Sequence, residues 1–269
     1  MKVTTDNGVI VHLDVEADIT ISRSPPFSEF FESTEASELR EMLSQVSILG
    51  IAGRKQSGKD TAYRGLADVA KECGRTAHSC SFAHALKEAC VGAFSMPVEE
   101  FYAPDSVREA EDPFWAKALG EPFSSKRRIL QTIGTEVFRQ RVHPDFWLFA
   151  FCCRALRGWE SSRIKPGDIL VFPDVRFTNE SGFIRDAGGR VCRMVNLNLP
   201  PPFDCHDSER GIPDCHVDFE FHCSSELEAR MAGVSLFQAS RKETLKEWRN
   251  QIFLNDTARL PGIKAEDIQ

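Results

Sequence analysis

Five apolar runs alternate with longer segments of helical period along most of this chain. The runs predict five buried strands, at Val46–Ala52, Thr76–Phe82, Ile169–Phe172, Arg190–Asn196 and Val217–Phe221. Apolar residues spaced three or four apart predict helices over residues 62–73, 83–94, 126–141, 147–156, 178–187, 225–231 and 241–253. Because strands that alternate with helices form parallel sheets covered on both faces, we expect a three-layer α/β fold with a five-stranded parallel sheet.

Residues 1–45 precede the first of these strands and are interpreted as a small N-terminal extension. Val9–Val15 alternates apolar and polar residues, and Ile19–Ile21 repeats the alternation, which predicts a β-hairpin. Thr34–Leu43 predicts a helix. Neither element carries residues that indicate chemistry, so the extension is expected to be a structural cover or a partner surface.

Residues 46–269 are then predicted to form the main domain. Within it, residues 95–125 are acidic, aromatic and rich in residues that break helices. With the helix that follows, this stretch predicts an excursion over the sheet at residues 95–147.

A glycine-bounded loop joins the first strand of the sheet to the next helix. Strand, glycine-rich loop and helix in this order are typical of a phosphate-binding P-loop. The loop N–H groups and the helix N-terminus would face one anionic pocket, and Lys59 adds a point charge. The common pattern places Ser or Thr directly after the lysine, whereas here Asp60 takes that place and Thr61 follows. The residues expected to contact phosphates are Gly53, Arg54, Lys55, Gln56, Ser57, Gly58, Lys59, Asp60 and Thr61.

A second candidate site lies at the end of the predicted strand Ile169–Phe172. A P-loop enzyme needs a carboxylate near its lysine to hold Mg²⁺, and Asp174 is the best candidate in the chain. Arg176, two residues on, could reach a transferring phosphate. Lys87 follows the second strand and would lie at the same edge of the sheet. Two readings of Lys87 stay open: contact with an acceptor phosphate, or an ordinary solvated lysine.

The predicted helix over residues 126–141 is the third candidate site. On a regular helix, Arg128, Gln131, Thr135 and Arg139 share one face. Such a face could bind a base edge and a phosphate together, because arginine suits bidentate phosphate recognition. The alternative is a polar face exposed to solvent.

Composition and charge restrict the function classes only slightly. A net charge of −7 over 269 residues argues against a general nucleic-acid surface. The N-terminus shows no signal pattern, and the most apolar stretch is too short to span a bilayer, so we expect a cytoplasmic protein with no membrane partner. Nine cysteines at scattered spacings predict reduced thiols.

Three segments together resemble the phage deoxynucleoside monophosphate kinase family of P-loop kinases. They are Gly53–Thr61, Arg128–Arg139 continued to Pro144-Asp-Phe-Trp147, and Asp174-Val-Arg-Phe-Thr-Asn-Glu180. The loop with Ser208-Glu209, followed by Asp218, resembles the last core strand region of that family. The similarity covers roughly residues 46–235 and leaves out the extension. The resemblance also accounts for Asp60, because members of that family carry an aspartate directly after the P-loop lysine.

The resemblance implies transfer of the γ-phosphoryl group of ATP to a deoxynucleoside 5′-monophosphate, with Mg²⁺ as cofactor. The location would be the host cytoplasm if the chain is phage-encoded. Lys59 and the loop amides would hold the ATP phosphates. Asp174 would hold Mg²⁺ together with Asp60 or Thr61.

The same resemblance implies an acceptor site in the excursion, which would act as a lid. Arginines would bind the acceptor and transferring phosphates, with Lys87 assisting, and Gln131 would read the base. The catalytic candidates are Lys59, Arg128, Arg139, Asp174 and Arg176. The substrate-binding candidates are Lys87, Arg128, Gln131, Thr135, Arg139, Trp147 and Arg176.

Two other functions remain open on the sequence. One is a P-loop kinase with another acceptor, either a hydroxymethylated base in phage DNA or a small phosphorylated metabolite such as phosphomevalonate. The other is a non-catalytic nucleotide-binding module, which would not need Asp174, Arg176 and the arginine-bearing helix together. The base accepted and the oligomeric state are left open, with a homodimer as one option.

Overall fold

The five predicted strands form one parallel sheet in the computed structural model. The structure describes residues 26–200 and 211–240, together with the backbone of two short strands, β1 Lys2–Thr4 and β2 Ile10–His12. The sheet strands are β3 Ser47–Ala52, β4 Ala77–Ser79, β5 Ile169–Val175, β6 Arg190–Asn196 and β7 Phe219–Cys223. Their order across the sheet is β4-β5-β3-β6-β7, and every neighbouring pair is parallel. The predicted fold class is confirmed, and β3, which precedes the glycine loop, is the central strand.

Helices connect these strands and cover both faces of the sheet. They are α1 Phe27–Glu32, α2 Ser37–Ser44, α3 Lys59–Glu72, α4 His84–Phe94, α5 Val98–Tyr102, α6 Asp105–Arg108, α7 Pro113–Leu119, α8 Lys126–Gln131, α9 Phe146–Glu160, α10 Thr178–Asp186 and α11 Glu226–Ala239. Short 3₁₀ turns lie at Thr34–Ala36, Glu121–Phe123 and Asp214–His216, and a π-helical segment spans Thr132–Val142. The last helix runs eight residues past its predicted end, because Gly233 is accommodated within it.

Alternate strand residues pack into two separate cores. On one face of the sheet, the buried side chains come from the strands, α3 and α11, and include Leu49, Ile51, Val171, Leu66 and Leu236. On the other face they come from the strands, α1, α2, α4, α9 and α10, and include Ile48, Leu170, Phe172, Leu86, Leu148 and Phe183. The alternation follows from the two-residue period of a strand and gives the predicted three layers.

Helices α1 and α2 pack into the larger of these cores. The rings of Phe27 and Phe31 lie 5.3 Å and 6.3 Å from the ring of Phe183, measured between centroids. Strand β2 pairs with β1 in an antiparallel hairpin. The sequence pattern predicted a strand at β2 but none at β1. The other predicted hairpin strand, Ile19–Ile21, lies outside the described residues. The domain boundary after residue 45 stays a prediction.

The excursion after α4 folds into short helices α5, α6 and α7. Phe101 is fully buried and anchors α5 to the core. A single bridge between Glu111 and Ser125 closes the stretch before α8. Two predicted features, the Ser208-Glu209 loop and a helix at 241–253, lie outside the described residues. Within the part of the chain that the structure describes, every helix is too short or too polar to cross a membrane.

Candidate active site

The glycine loop after β3 has the backbone geometry of an anion-binding turn. Gly53, Gln56 and Gly58 have positive φ angles of 143°, 61° and 91°, and α3 begins directly after them. A side chain at Gly53 would meet the carbonyl oxygen of Met194 at 2.6 Å, so glycine is required there. The first N–H groups of a helix lack intrahelical acceptors and concentrate positive charge at its N-terminus. Loop and helix end therefore fit a phosphate group.

Two side chains of the loop support the same interpretation. Lys59 Nζ donates to the carbonyl oxygens of Gly53 at 2.8 Å and Arg54 at 2.7 Å, across the mouth of the loop. Ser57 is buried, and its hydroxyl has no hydrogen-bond partner among the residues that the structure describes. Leaving a buried hydroxyl without a partner costs free energy, which an oxygen of a bound phosphate could remove.

Two contacts tie other loop residues to their surroundings. Asn196 Nδ2, at the end of β6, donates to the carbonyl oxygen of Gln56 at 3.0 Å. An Arg54 guanidinium nitrogen donates to the carbonyl oxygen of Pro200 at 2.7 Å. These contacts hold the loop between the neighbouring strand and the segment that follows it.

Strand β5 lies beside β3, and this adjacency brings Asp174 next to the loop. Its carboxylate accepts a hydrogen bond from Arg176 Nε at 2.9 Å. Burial by itself would raise the pKa of Asp174, but the positive charges of Arg176, Lys59 and Lys87 outweigh that effect and hold the pKa below its usual 3.8. Asp174 therefore stays ionised. Its negative charge is stabilised by Lys59 of the P-loop and by Arg176 and Lys87 of the neighbouring cavity.

A cavity of about 150 Å³ lies beside Asp174 and Arg176. Its lining includes most of the predicted substrate-binding residues, namely Lys87, Gln131, Thr135, Arg139, Trp147 and Arg176. Apolar walls come from Phe82, Leu86, Leu130 and Phe177. A cavity with cationic groups at one part of its wall and aromatic rings at another suits a ligand with a phosphate and a flat base.

Trp147 is fixed in this wall by the backbone of the facing helix. Its indole Nε1 donates to the carbonyl oxygen of Gly134 at 2.9 Å. A side chain at Gly134 would meet Leu86 Cδ2 at 2.5 Å, so glycine keeps the two walls of the cavity close. The predicted role of Trp147 in substrate binding fits this position.

Lys87 belongs to the cavity rather than to the solvent. Its Nζ lies 3.9 Å from the centre of the Tyr102 ring. Burial lowers the pKa of Lys87, and the neighbouring charges of Arg108 and Arg176 lower it further, while Asp174 opposes them. Lys87 therefore lines the cavity, and its contact with an acceptor phosphate stays a prediction.

The predicted polar face is carried by a helix that changes type along its length. Helix α8 is followed directly by the π-helical segment. A π-helix bonds residues five apart, so residues four or five apart share a face. Gln131, Thr135 and Arg139 line the cavity together with Arg127, whereas Arg128 lies in the adjacent cleft. The predicted grouping therefore holds for three of its four residues.

Arg139 is enclosed by its neighbours, with 10% of its side chain exposed. One guanidinium nitrogen lies 2.5 Å from Glu180 Oε1, and the guanidinium stacks 4.0 Å from the centre of the Phe177 ring. Glu180 Oε2 in turn accepts the backbone N–H of Arg176 at 2.8 Å. Burial raises the pKa of Glu180, and the Arg139 charge and two backbone N–H groups oppose that rise. Arg139 thus reaches the end of β5 through Glu180.

The sequence pattern did not indicate four of the residues in this cavity. Arg127 lies in the α-helical part, and its spacing of four from Gln131 was a usable signal. Arg108 lies in the irregular excursion, where no local pattern marks it. Phe177 and Glu180 stand within the quoted motif after Asp174, but their roles depend on tertiary contacts.

Asp174 is also the carboxylate best placed to hold Mg²⁺. This ion is usually bound through one or two carboxylates together with phosphate oxygens and water, so an ionised Asp174 fits. Asp60 is exposed in the first turn of α3, and Thr61 Oγ1 accepts a hydrogen bond from Arg64 at 3.2 Å. The described ranges contain no cluster of three or more His, Cys, Asp or Glu side chains that could hold a metal ion. Phosphate oxygens would have to complete the ligand set.

The parallel sheet, the phosphate loop after its central strand and the carboxylate at the end of the neighbouring strand define a P-loop kinase fold. The family model for deoxynucleotide monophosphate kinase matches residues 116–229, which include the π-helical segment and Asp174 but not the glycine loop. The chain is therefore similar to this family over that range, as its motifs predict.

Two relatives with curated names support this relationship. A protein of Acanthamoeba polyphaga mimivirus, named provisionally as a deoxynucleotide monophosphate kinase, is 29% identical over 166 residues, or 60% of this chain and 80% of the relative. The deoxynucleoside-5′-monophosphate kinase of Escherichia phage T5 is 33% identical over 105 residues, or 36% of this chain and 39% of the relative.

Proposed function

We propose that this protein transfers the γ-phosphoryl group of ATP to the phosphate of a deoxynucleoside 5′-monophosphate. One observation carries the proposal: Asp174, at the end of the strand that pairs with β3, lies beside the glycine loop and also lines the cavity that contains Lys87 and Arg176. A donor site and an acceptor cavity that meet at one carboxylate suit direct phosphoryl transfer, which depends on positioning and charge neutralisation. The names of the two relatives point to the same acceptor class.

The ATP phosphates bind in the glycine loop in this proposal. The N–H groups of the loop and of the first turn of α3 surround the phosphate oxygens. Lys59 turns from the loop carbonyls to those oxygens, and the Ser57 hydroxyl gains a partner. Asp174, with Asp60 or Thr61, holds Mg²⁺, which neutralises charge on the phosphates.

The monophosphate occupies the cavity beside Asp174. Lys87 and Arg176 bind its phosphate and the group in transfer, while Trp147 and Phe177 pack against the base and Gln131 reads the base edge. An acceptor phosphate oxygen forms a bond to the γ-phosphorus as the bond to the β–γ bridging oxygen breaks, and ADP leaves. The acceptor oxygen is already ionised, so the reaction needs no general base.

A substrate panel tests the proposed reaction. ADP release should be measured with ATP and each of dGMP, dTMP, dCMP, dAMP and 5-hydroxymethyl-dCMP. We expect turnover with at least one of these monophosphates. ATP binding without turnover of any of them would contradict the proposal and favour a non-catalytic nucleotide-binding module.

A matched pair of lysine variants assigns the activity to the P-loop. Lys59→Ala should lower kcat/KM by about 10²–10³, the usual cost of removing one group that stabilises transition-state charge. Lys71→Ala, an exposed position on the same helix, should leave the rate unchanged. Equal rates for both variants would exclude the assigned role of Lys59.

The other expected partners belong to the same proposal. We take the substrate to be a mononucleotide rather than nucleic acid, in keeping with the net charge of −7. A homodimer stays a prediction, which sedimentation of the purified protein would test.

A further inference from the structure

Asp145 occupies the N-cap position of α9 but does not cap that helix. Its side chain is buried, with 6% of the residue exposed, and it makes no hydrogen bond to the first N–H groups of α9. An aspartate at this position ordinarily accepts one of those N–H groups. Here Oδ2 accepts the backbone N–H of Phe27 at 2.9 Å, and Oδ1 accepts Asn179 Nδ2 at 2.8 Å. The carboxylate therefore joins α1 to α10 instead.

Asn179 extends this contact to the buried ion pair of the cavity. Its Oδ1 lies 3.3 Å from a guanidinium nitrogen of Arg139, whose other terminal nitrogen lies 2.5 Å from Glu180 Oε1. Glu180 Oε2 accepts the backbone N–H groups of Arg176 at 2.8 Å and Phe177 at 3.2 Å. A continuous hydrogen-bond path thus leads from α1 to the backbone at the end of β5.

The path is enclosed in packed structure along most of its length. The ring of Phe27 lies 5.1 Å from that of Phe149 and 5.3 Å from that of Phe183. Glu180 and Asp145 are both buried. In a low-dielectric interior, a polar network whose members all have hydrogen-bond partners is rigid. The loss of one partner therefore weakens the other hydrogen bonds of the network.

We propose that Asp145 is a positioning residue that couples α1 of the N-terminal extension to the strand end carrying Asp174 and Arg176. The proposal rests on the phosphoryl-transfer function above, because it gives Asp145 the task of holding two groups of that site in place. The N-terminal extension then contributes to catalysis indirectly. The backbone N–H of Phe27 donates a hydrogen bond to the Asp145 carboxylate, and that carboxylate orients Asn179.

Reciprocal exchange of the two side chains tests the coupling. Asp145→Asn leaves one acceptor oxygen for two donors and places an NH₂ group against one of them. Asn179→Asp brings two carboxylates face to face. The double variant Asp145→Asn/Asn179→Asp restores one hydrogen bond between the positions with its direction reversed and keeps an acceptor for Arg139. It does not restore the hydrogen bond from Asn179 Nδ2 to the carbonyl oxygen of Pro144, which is 2.9 Å long.

Hydrogen exchange reports the coupling without requiring turnover. In Asp145→Asn, amides in residues 174–180 should exchange about tenfold faster, while those of the glycine loop keep their wild-type rates. The double variant should recover part of the lost protection. Unchanged exchange in Asp145→Asn, or a double variant no better than the singles, would overturn the proposal.

Kinetics of the same variants separate positioning from general destabilisation. We expect kcat with the monophosphate to fall at least about tenfold in Asp145→Asn, since small misplacements of reacting groups are costly. Affinity for a non-hydrolysable ATP analogue, measured without Mg²⁺ so that Asp174 does not contribute through the metal, should stay within about twofold of wild type, because the loop lies off the path. A parallel loss of analogue affinity would count against a positioning role.

The control is Asp168→Asn, at the opposite end of β5. Asp168 is equally buried and accepts two hydrogen bonds, from the backbone N–H of Lys165 at 2.9 Å and at His78 Nε2 at 2.8 Å. It should not change exchange at residues 174–180. Wild-type protein that turns over no monophosphate would contradict the proposed function alone, because the exchange data would still decide the coupling.

Discussion

The surroundings of Lys87 favour the neutral form of its amino group. Burial lowers its pKa, and Arg108 and Arg176 add to that effect. As pH rises, Lys87 should lose its proton below the ordinary lysine value of 10.5, and the acceptor phosphate then loses a positive partner. We therefore expect kcat/KM for the monophosphate to fall on the alkaline side. In Lys87→Arg the fall should move to higher pH, because arginine stays protonated.

A pH–rate profile of ADP formation, measured directly by chromatography, checks this expectation. Lys71→Arg is the control, since that side chain is exposed on α3. Its alkaline limb should coincide with that of wild type. If Lys87→Arg also coincides with wild type, the proton on Lys87 does not control acceptor binding.

At the scale of elements, the carboxylate of Glu109 links the excursion to the P-loop and to α8. Glu109 Oε1 lies 2.9 Å from Lys55 Nζ and 3.7 Å from an Arg127 guanidinium nitrogen. Nucleotide phosphates would compete with Glu109 for Lys55. We therefore expect Glu109→Gln to tighten binding of an ATP analogue about two- to fivefold, since exposed ion pairs contribute up to about 1 kcal/mol.

Fluorescence titration at low and high salt measures this effect. The gain should shrink at high salt, because exposed charges are screened. Glu111→Gln removes a nearby exposed carboxylate whose residue makes a backbone bridge, and it should change affinity little. Equal affinities for the two variants would mean that Glu109 does not compete with the nucleotide.

The elements differ in how much of their position is encoded locally. The strands were predictable because a buried parallel strand shows an unbroken apolar run, and Asp174 was predictable because adjacent parallel strands end at one edge. The π-helical form of Thr132–Val142 was not, since α- and π-helices share the same local apolar pattern. Glu109 and Phe27 were missed because their roles rest on contacts with residues far along the chain.

At the scale of the whole molecule, helices α3 and α11 cross closely on the P-loop face of the sheet. A side chain at Gly233 of α11 would meet the carbonyl oxygen of Ala62 in α3 at 2.0 Å, and one at Gly65 would meet that of Arg230 at 2.4 Å. Both obstacles are backbone atoms, which cannot rotate away. Since α3 also forms the floor of the phosphate loop, the three-layer packing and the nucleotide site share this contact.

Gly233→Ala should therefore lower both stability and nucleotide affinity. Overpacking of this kind costs about 1–3 kcal/mol, or a fall in Tm of about 2–4 °C per kcal/mol.

Gly92→Ala is the matched control, because a side chain there meets nothing within 4 Å in helix α4. It should stabilise by about 0.5–1 kcal/mol, as alanine does for glycine inside helices. Thermal melts with and without an ATP analogue separate the cases. Opposite shifts in Tm, with analogue affinity reduced in Gly233→Ala alone, would tie the site to the helix crossing, whereas equal shifts would show that α3 and α11 can separate without disturbing the loop.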